Sequence, residues 1–312
     1  MKIEDKLEIV IPTFNRCEKL GITFSYLLGE NSPVKNCDIT ILDNCSTDDT
    51  PNLVKKIAEK HPNVKYRRNA RNIGSVSNID RSVEIAEKQY LWVIGDDDMY
   101  DWGCWGEVEK AIENEVDVIV VGYGESKWKP EDLRALAVCP GGEDIIGCLI
   151  INMSFVDNSV YFSALSMREC NINCAIGVMY CNSKPDFRVA AVSRDVTLTF
   201  EEEVYDVDRM GVAELFSLQG KSCYFCALFL KDKKLLNTCI KYQAGIVSCG
   251  CVLTIYFGMF SARFMYPRSL IALFSFPWKW KLYLLAVGHW KLFKRLIQRL
   301  VLLDFKIRRM SL

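Results

Sequence analysis

The stretch Tyr90–Tyr100, YLWVIGDDDMY, sets the terms for the rest of the chain. Six residues, Tyr90 to Gly95, form an apolar run of β-branched and aromatic types, and Asp96, Asp97 and Asp98 follow at once. Such a run predicts a buried strand. Three carboxylates at its end repel one another and raise one another's pKa unless a cation sits between them. A hard divalent ion such as Mg²⁺ or Mn²⁺ takes one or two carboxylates and keeps positions open for phosphate oxygens. The carboxyl ends of strands in an open α/β sheet are also where ligands bind. The competing reading of the triplet is a solvated acidic loop after a strand.

Working back from this stretch, strand and helix alternate over the first 122 residues. Leu7–Thr13, LEIVIPT, predicts a strand, and the next segment carries Leu20, Phe24, Leu27 and Leu28 at helical spacing. Asp38–Leu42 predicts a second strand, followed by Asp43 and a helix to about Lys60 that Ser46 or Thr47 could cap. Val64–Arg67 reads as a third strand, and Asn72-Ile73-Gly74-Ser75 as a turn into a helix over Val76–Glu87. After the triplet come a helix over Trp102–Asn114 and a fifth strand over Asp117–Gly122. This is the βαβ pattern of a parallel sheet covered on both faces. Neither a GxGxxG fingerprint nor a GxxxxGK[ST] loop follows the first strand, so neither of those phosphate cradles is present there.

Four ordered motifs, LEIVIPTFNR, ITILDNCSTDDT, RNARNIGSVSNIDRSVEIA and YLWVIGDDDMY, resemble the nucleotide-sugar half of bacterial-type family 2 glycosyltransferases over about residues 7–125. The resemblance implies a GT-A fold, Rossmann-like, with a mainly parallel sheet and helices on both faces. It places Pro12, Thr13 and Asn15 in the nucleotide pocket, Asp43 on the base, and Arg71 and Gly74 near base or ribose. The family's DxD motif falls on Asp96–Asp98. Asp98 and Asp96 are then the metal ligands, with Asp96 and Asp97 also contacting the donor. Where many members read LDxDD this chain reads IGDDD, so Gly95 stands in place of an acid. The resemblance also implies an inverting reaction. The cofactor expected is Mg²⁺ or Mn²⁺, since a divalent ion on a leaving diphosphate stabilises its developing charge.

An acceptor hydroxyl needs a general base, normally a carboxylate. Tyr161–Met167 reads as a strand. Asp186, in a Pro-Asp step ahead of an expected helical run over Phe187–Val192, resembles the functional acid of several relatives. Its alternative role is that of an ordinary acid at a helix start. Glu201, Glu202 and Glu203 are the competitors.

The net charge is zero, but it is unevenly spread. From Ser261 onward there are 11 basic residues and one acid, which leaves 28 basic and 38 acidic residues before it. An acidic body argues against nucleic acid as a partner. Within the tail, Lys291, Lys294, Arg295, Gln298 and Arg299 share one helical face, opposite Trp290, Phe293, Leu296, Ile297, Leu300 and Val301. A basic, Trp-flanked amphipathic helix suits an anionic membrane interface. The same pattern also suits a helix docked on its own domain or on a partner. Tyr242–Ala262 is uncharged over 21 residues, but polar residues and glycines dilute it as a membrane span. The 14 cysteines, with a charged start MKIEDKLEIV, predict free thiols in a reducing cytosol. With only His61 and His289 available, the CxxC at Cys223 and Cys226 and the CxC at Cys249 and Cys251 do not make a convincing zinc set.

These readings combine into an α/β glycosyltransferase with a C-terminal helical, membrane-associating segment. Residues 1–125 would bind the nucleotide-sugar (UDP- or dTDP-linked), 126–235 the acceptor, and 236–312 would form the basic tail. The donor's sugar passes to an acceptor hydroxyl, of a lipid-linked or cell-surface glycan precursor in polysaccharide biosynthesis. The enzyme is expected in the cytoplasm, peripheral on the inner face of the plasma membrane, with a homo-oligomer left open. The alternatives are a nucleotidyltransferase on a similar sheet, which would carry a glycine-rich loop after the first strand, and an inactive scaffold of the same fold.

Overall fold

The structure, a computed structural model, describes residues 2–121, 134, 147, 149–155, 186–192, 197–199 and 230–239. The expected strand at 161–167, the acids at 201–203 and the tail from 240 lie outside these residues. Among the described residues, no helix is long and apolar enough to cross a membrane.

The main sheet is built from β1 (Leu7–Thr13), β2 (Asp38–Asp43), β3 (Val64–Arg68), β4 (Tyr90–Val93), β6 (Val118–Val120), β7 (Leu149–Asn152) and β8 (Val189–Ala191). Their order is β3-β2-β1-β4-β7-β6-β8. A second, two-stranded sheet pairs β5 (Asp98–Tyr100) with β9 (Thr197–Thr199). Helices α1 (Cys17–Leu27), α2 (Thr50–Ala58), α3 (Ser75–Glu84) and α4 (Trp105–Glu113) connect the strands of the first half. Right-handed crossovers place α1 and α2 on one face and α3 on the other. The core joins Leu7, Ile9 and Ile11 of β1 to Leu20, Phe24 and Leu27 of α1, Ile39 and Ile41 of β2, and Tyr90 and Trp92 of β4.

Most expected elements form within a few residues of their expected ends. The sheet, however, is mixed. β7 runs antiparallel between β4 and β6, and all four of its residues are buried. Phe187–Val192 is not helical either. It contributes β8, which extends the sheet edge beside β6. Helix α2 starts later than expected, at Thr50, with Asp49 before it. The Ser46 hydroxyl is engaged elsewhere, accepting from the Asn15 N–H at 2.9 Å.

β1, β2, β3 and β4 are mutually parallel, so their carboxyl ends share one edge. The chain moves outward from β1 to β2 and β3, then returns to β4 on the other side of β1. That reversal opens a crevice between the β1 and β4 ends. In register, Thr13 lies beside Asp43, and Asp43 beside Arg68.

At the opposite edge, Glu8 is a carboxylate buried in β1. It accepts the backbone N–H of Glu87 and that of Lys88, the latter at 2.6 Å, which fixes the connection into β4. Burial raises its pKa despite those two bonds. Removing the acceptor leaves two part-buried donors unmet, at about 1 kcal/mol. Glu8→Ala is therefore expected to lower the urea midpoint by that order, whereas an unchanged midpoint would show that the connection does not depend on this carboxylate.

Candidate donor and metal site

The edge is assembled by polar side chains that tie one strand-end loop to the next. Asn15 has φ +55°, in the left-handed region that asparagine tolerates better than most residues. Its side-chain oxygen accepts from the Thr47 N–H at 2.7 Å and the Thr47 hydroxyl at 3.3 Å. Asp48 accepts the Cys17 N–H at 3.0 Å. The loops after β1 and β2 are thus fastened together, and Arg16 sits on the fastened turn.

Asp43 ends β2 with no exposed surface. The Tyr66 hydroxyl donates to it at 2.6 Å, the Ser46 N–H at 2.8 Å, and the Arg68 guanidinium lies at 3.2 Å. Burial, with Asp43 beside it, drives the Tyr66 phenol above its ordinary pKa. Arg68 also donates to the Ser46 carbonyl at 2.7 Å. Arg71, expected near base or ribose, is exposed on the loop beyond, and Arg68 is the arginine placed on Asp43.

Gly74 caps α3 with φ +89°. A Cβ there would meet nothing within 4 Å, so the backbone conformation and not crowding favours glycine. Its carbonyl accepts from the Asn44 amide at 3.2 Å. Asn44 also donates to Asn72 and accepts from Asn69, and Asn69 donates to Asn78. Asn78 in turn donates to the Leu42 carbonyl at 2.9 Å. This amide network presses the 69–74 loop onto the end of β2. Its signal in the sequence was the scattered asparagines 44, 69, 72 and 78 in and around the turns.

The acid triplet faces this assembly across the crevice. The Thr13 hydroxyl donates to Asp96 at 2.6 Å. Arg16 donates to Asp97 at 2.7 Å, and its Nε lies 3.8 Å from Asp96. Asp98 opens β5, and its carboxylate turns back to accept the Gly95 N–H at 3.2 Å. A Cβ on Gly95 would stand 2.8 Å from the Asp98 carboxylate and 3.1 Å from that of Asp97. The absence of a side chain at 95 is therefore what lets the two following acids fold back. From α1, the Thr23 hydroxyl donates to the Asp98 carbonyl at 3.1 Å and holds the first residue of β5. Below lie four aromatic rings: Trp92, Tyr100, Trp102 and Trp105.

Thr13, Asp96 and Asp98 are each less than 10 % exposed. Burial, with Asp97 adding repulsion, raises both Asp96 and Asp98 to about 6. The structure thus brings together Pro12, Thr13, Asn15, Asp43, Gly74 and the three aspartates at one sheet edge. Asp186 is not among them. It is exposed, and it precedes β8, which runs parallel to β6 and hence to β4. Asp186 therefore lies at the end where these strands begin. Arg16, Tyr66 and Arg68 were not read as site residues from sequence. The Asn-Arg step after Pro12-Thr13-Phe14 and the Arg-Arg pair ending β3 were the available signals.

Two buried carboxylates are a donor set suited to Mg²⁺ or Mn²⁺, which leave further positions to phosphate and water. Among the described residues, no group of three or more His, Cys, Asp or Glu side chains is disposed to hold a metal by itself. A metal here would therefore need ligand oxygens to complete its shell.

A mixed α/β sheet with buried acids at the β1–β4 crevice is consistent with a Rossmann-like GT-A architecture. A sequence model of the family described as Glycosyl transferase family 2 matches residues 8–138. The segment over residues 8–138 is thus similar to that family. Among curated proteins it is 27% identical over 129 residues to the abequosyltransferase RfbV of Salmonella typhimurium, covering 41% of this chain and 39% of that one. It is 27% identical over 124 residues to the poly(ribitol-phosphate) beta-N-acetylglucosaminyltransferase TarP of Staphylococcus aureus, covering 38% and 37%. The match thus spans about two fifths of the length of these relatives. Among solved structures, S. aureus TarS in complex with UDP-GlcNAc superposes with a TM-score of 0.61 at 15% identity, covering 88% of this chain and 82% of that one. At that identity the likeness is one of fold.

The raised carboxylates carry a pH signature. A buried acid whose folded pKa exceeds its unfolded value binds more protons when folded, so stability falls as pH rises from about 4 through about 6. In EDTA, Asp98→Asn is expected to gain on the parent protein across that window, by on the order of 1–3 kcal/mol. Urea titrations at pH 4 and 7 measure the gain, and a pH-independent difference would contradict it.

Proposed function

We propose that this protein transfers a sugar from a nucleotide-sugar to an acceptor hydroxyl, with inversion at the anomeric carbon. The observation that carries the reading is the convergence of the acid triplet, Thr13 and the Asp43–Arg68 pair at one switch-point crevice inside the family-matching segment. In this reading the nucleoside rests against the β1–β2–β3 ends. The Asp43–Tyr66–Arg68 cluster presents a rigid polar rim to the base, and exposed Phe14 offers a ring for stacking. Asn15 and the amide network keep the two loops from moving as the donor enters. Asp98 and Asp96 would hold Mg²⁺ or Mn²⁺, which when bound neutralises charge developing on the departing diphosphate. Thr13 fixes the Asp96 carboxylate, Gly95 orients that of Asp98, and Asp97 lies within reach of the donor.

The UDP-GlcNAc complex of TarS supports a uridine nucleotide as leaving group. TarP, a transferase named for poly(ribitol-phosphate), supports a polymeric glycan-type acceptor. The basic amphipathic pattern in the tail supports a site of action at an anionic membrane surface. The base that accepts the hydroxyl proton must come within hydrogen-bond reach of the acceptor, and the position of Asp186 ahead of β8 gives it no support in that role.

The test is turnover of UDP-sugars with Mn²⁺, read as nucleoside diphosphate released. Asp98→Ala is expected to reduce the rate by about 10²-fold or more, as for other losses of preorganised charge stabilisation. Release of pyrophosphate would point instead to a nucleotidyltransferase. Unimpaired turnover in Asp98→Ala would remove the triplet from the mechanism.

A further inference from the structure

The three acids of the triplet are held in three different ways. The Thr13 hydroxyl donates to one oxygen of Asp96, and the Gly95 N–H to one of Asp98. Asp97 is the acid bonded directly to Arg16, whose Nη1 donates to its Oδ2 at 2.7 Å, while Asp96 stays 3.8 Å from the Arg16 Nε. The second oxygen of Asp97, Oδ1, lies over Gly95, 3.1 Å from where a Cβ would stand. Arg16 is brought to Asp97 by its backbone. The Asn15 N–H donates to Ser46 Oγ, the Asn15 side chain accepts the Thr47 N–H, and the Cys17 N–H donates to Asp48. The start of α1 is thus pinned to the loop after β2 on both sides of residue 16.

We propose that Arg16 is a positioning residue that acts through Asp97. It draws the Asp97 carboxylate toward the start of α1 and keeps it out of the metal's shell, so that two acids of the triplet, Asp96 and Asp98, face the ion. The inference rests on the metal reading above and deepens it. Affinity for a hard cation rises with the number of carboxylates that reach it. Three would hold Mg²⁺ or Mn²⁺ without a nucleotide. Two leave coordination positions for diphosphate oxygens, so ion and donor bind together. Arg16 keeps its place throughout, and its charge offsets one of the three gathered acids.

A double-mutant cycle on Mn²⁺ affinity tests this, with Arg16→Gln, Asp97→Asn and the two together, read by electron paramagnetic resonance of the free ion in the donor-free chain. Charges acting on the ion from fixed positions contribute independently, so their removal is additive. Only movement of Asp97 into the metal's shell couples the two sites. Asp97→Asn is expected to weaken Mn²⁺ binding by about threefold in the parent protein, through screened attraction at a distance. In Arg16→Gln it is expected to weaken binding by about fifteenfold, because there the carboxylate has become a ligand. Arg16→Lys, which can still make the single bond to Asp97, is expected to keep the parent's affinity. Equal losses in the two backgrounds overturn the positioning role and leave the metal reading standing. Absence of Mn²⁺ binding in all four proteins overturns both, while turnover of UDP-sugars in EDTA still tests the transferase itself. Should Arg16→Gln not fold, the parent background answers alone. Asp98→Asn is expected to cost at least tenfold in Mn²⁺ affinity against about threefold for Asp97→Asn, and equal costs overturn the proposal.

Discussion

Negative charge held out of water at the end of a strand is the constraint around which this protein is arranged. Asp96 and Asp98 are buried, Asp97 stands between them, and the raised pKa values of the two buried acids record the cost. Nothing apolar relieves such a cluster; only hydrogen-bond donors and cations do. Among the described residues that relief includes a hydroxyl from Thr13, a backbone N–H from Gly95 and the guanidinium of Arg16.

The fold gives that cluster a direction. Parallel β1, β2, β3 and β4 deliver Thr13, Asp43, Arg68 and the triplet to one edge, and the reversal of strand order between β1 and β4 opens the crevice there. The two halves of the edge differ in kind. On the β2–β3 side, Asp43 is saturated by Tyr66, Ser46 and Arg68, and the asparagine network fixes the neighbouring loop. On the β4 side, the described partners of the acids are the Thr13 hydroxyl, the Gly95 N–H and half-buried Arg16. One side presents a fixed polar shape, and the other is the side to which the proposed function assigns an ion.

Much of this was legible in the sequence, for identifiable reasons. The strands of the first half announce themselves because buried parallel strands are continuous apolar runs, as in LEIVIP and YLWVI. The triplet was legible as a candidate site because three aspartates directly after a buried run are costly to place together. What was missed depends on tertiary partners. The LIIN run of β7 is too short to be told from any other buried segment, and its antiparallel placement is set by β4 and β6 on either side. Asp186 looked like an acid before a helix, but the residues after it pair with β6 instead. Arg68 and Arg71 are indistinguishable by composition, and only the strand register places the first on Asp43. Gly95 read as a departure from a motif. Its meaning appears only when the carboxylates of Asp97 and Asp98 are seen folding over it.

The most direct measurement is anomalous diffraction from crystals grown with Mn²⁺ and UDP. A single manganese peak is expected at about 2.1 Å from carboxylate oxygens of Asp98 or Asp96, with diphosphate oxygens completing its shell. Diphosphate bound in the β1–β4 crevice with no manganese on either aspartate would contradict the claim that these acids are gathered to hold a cation.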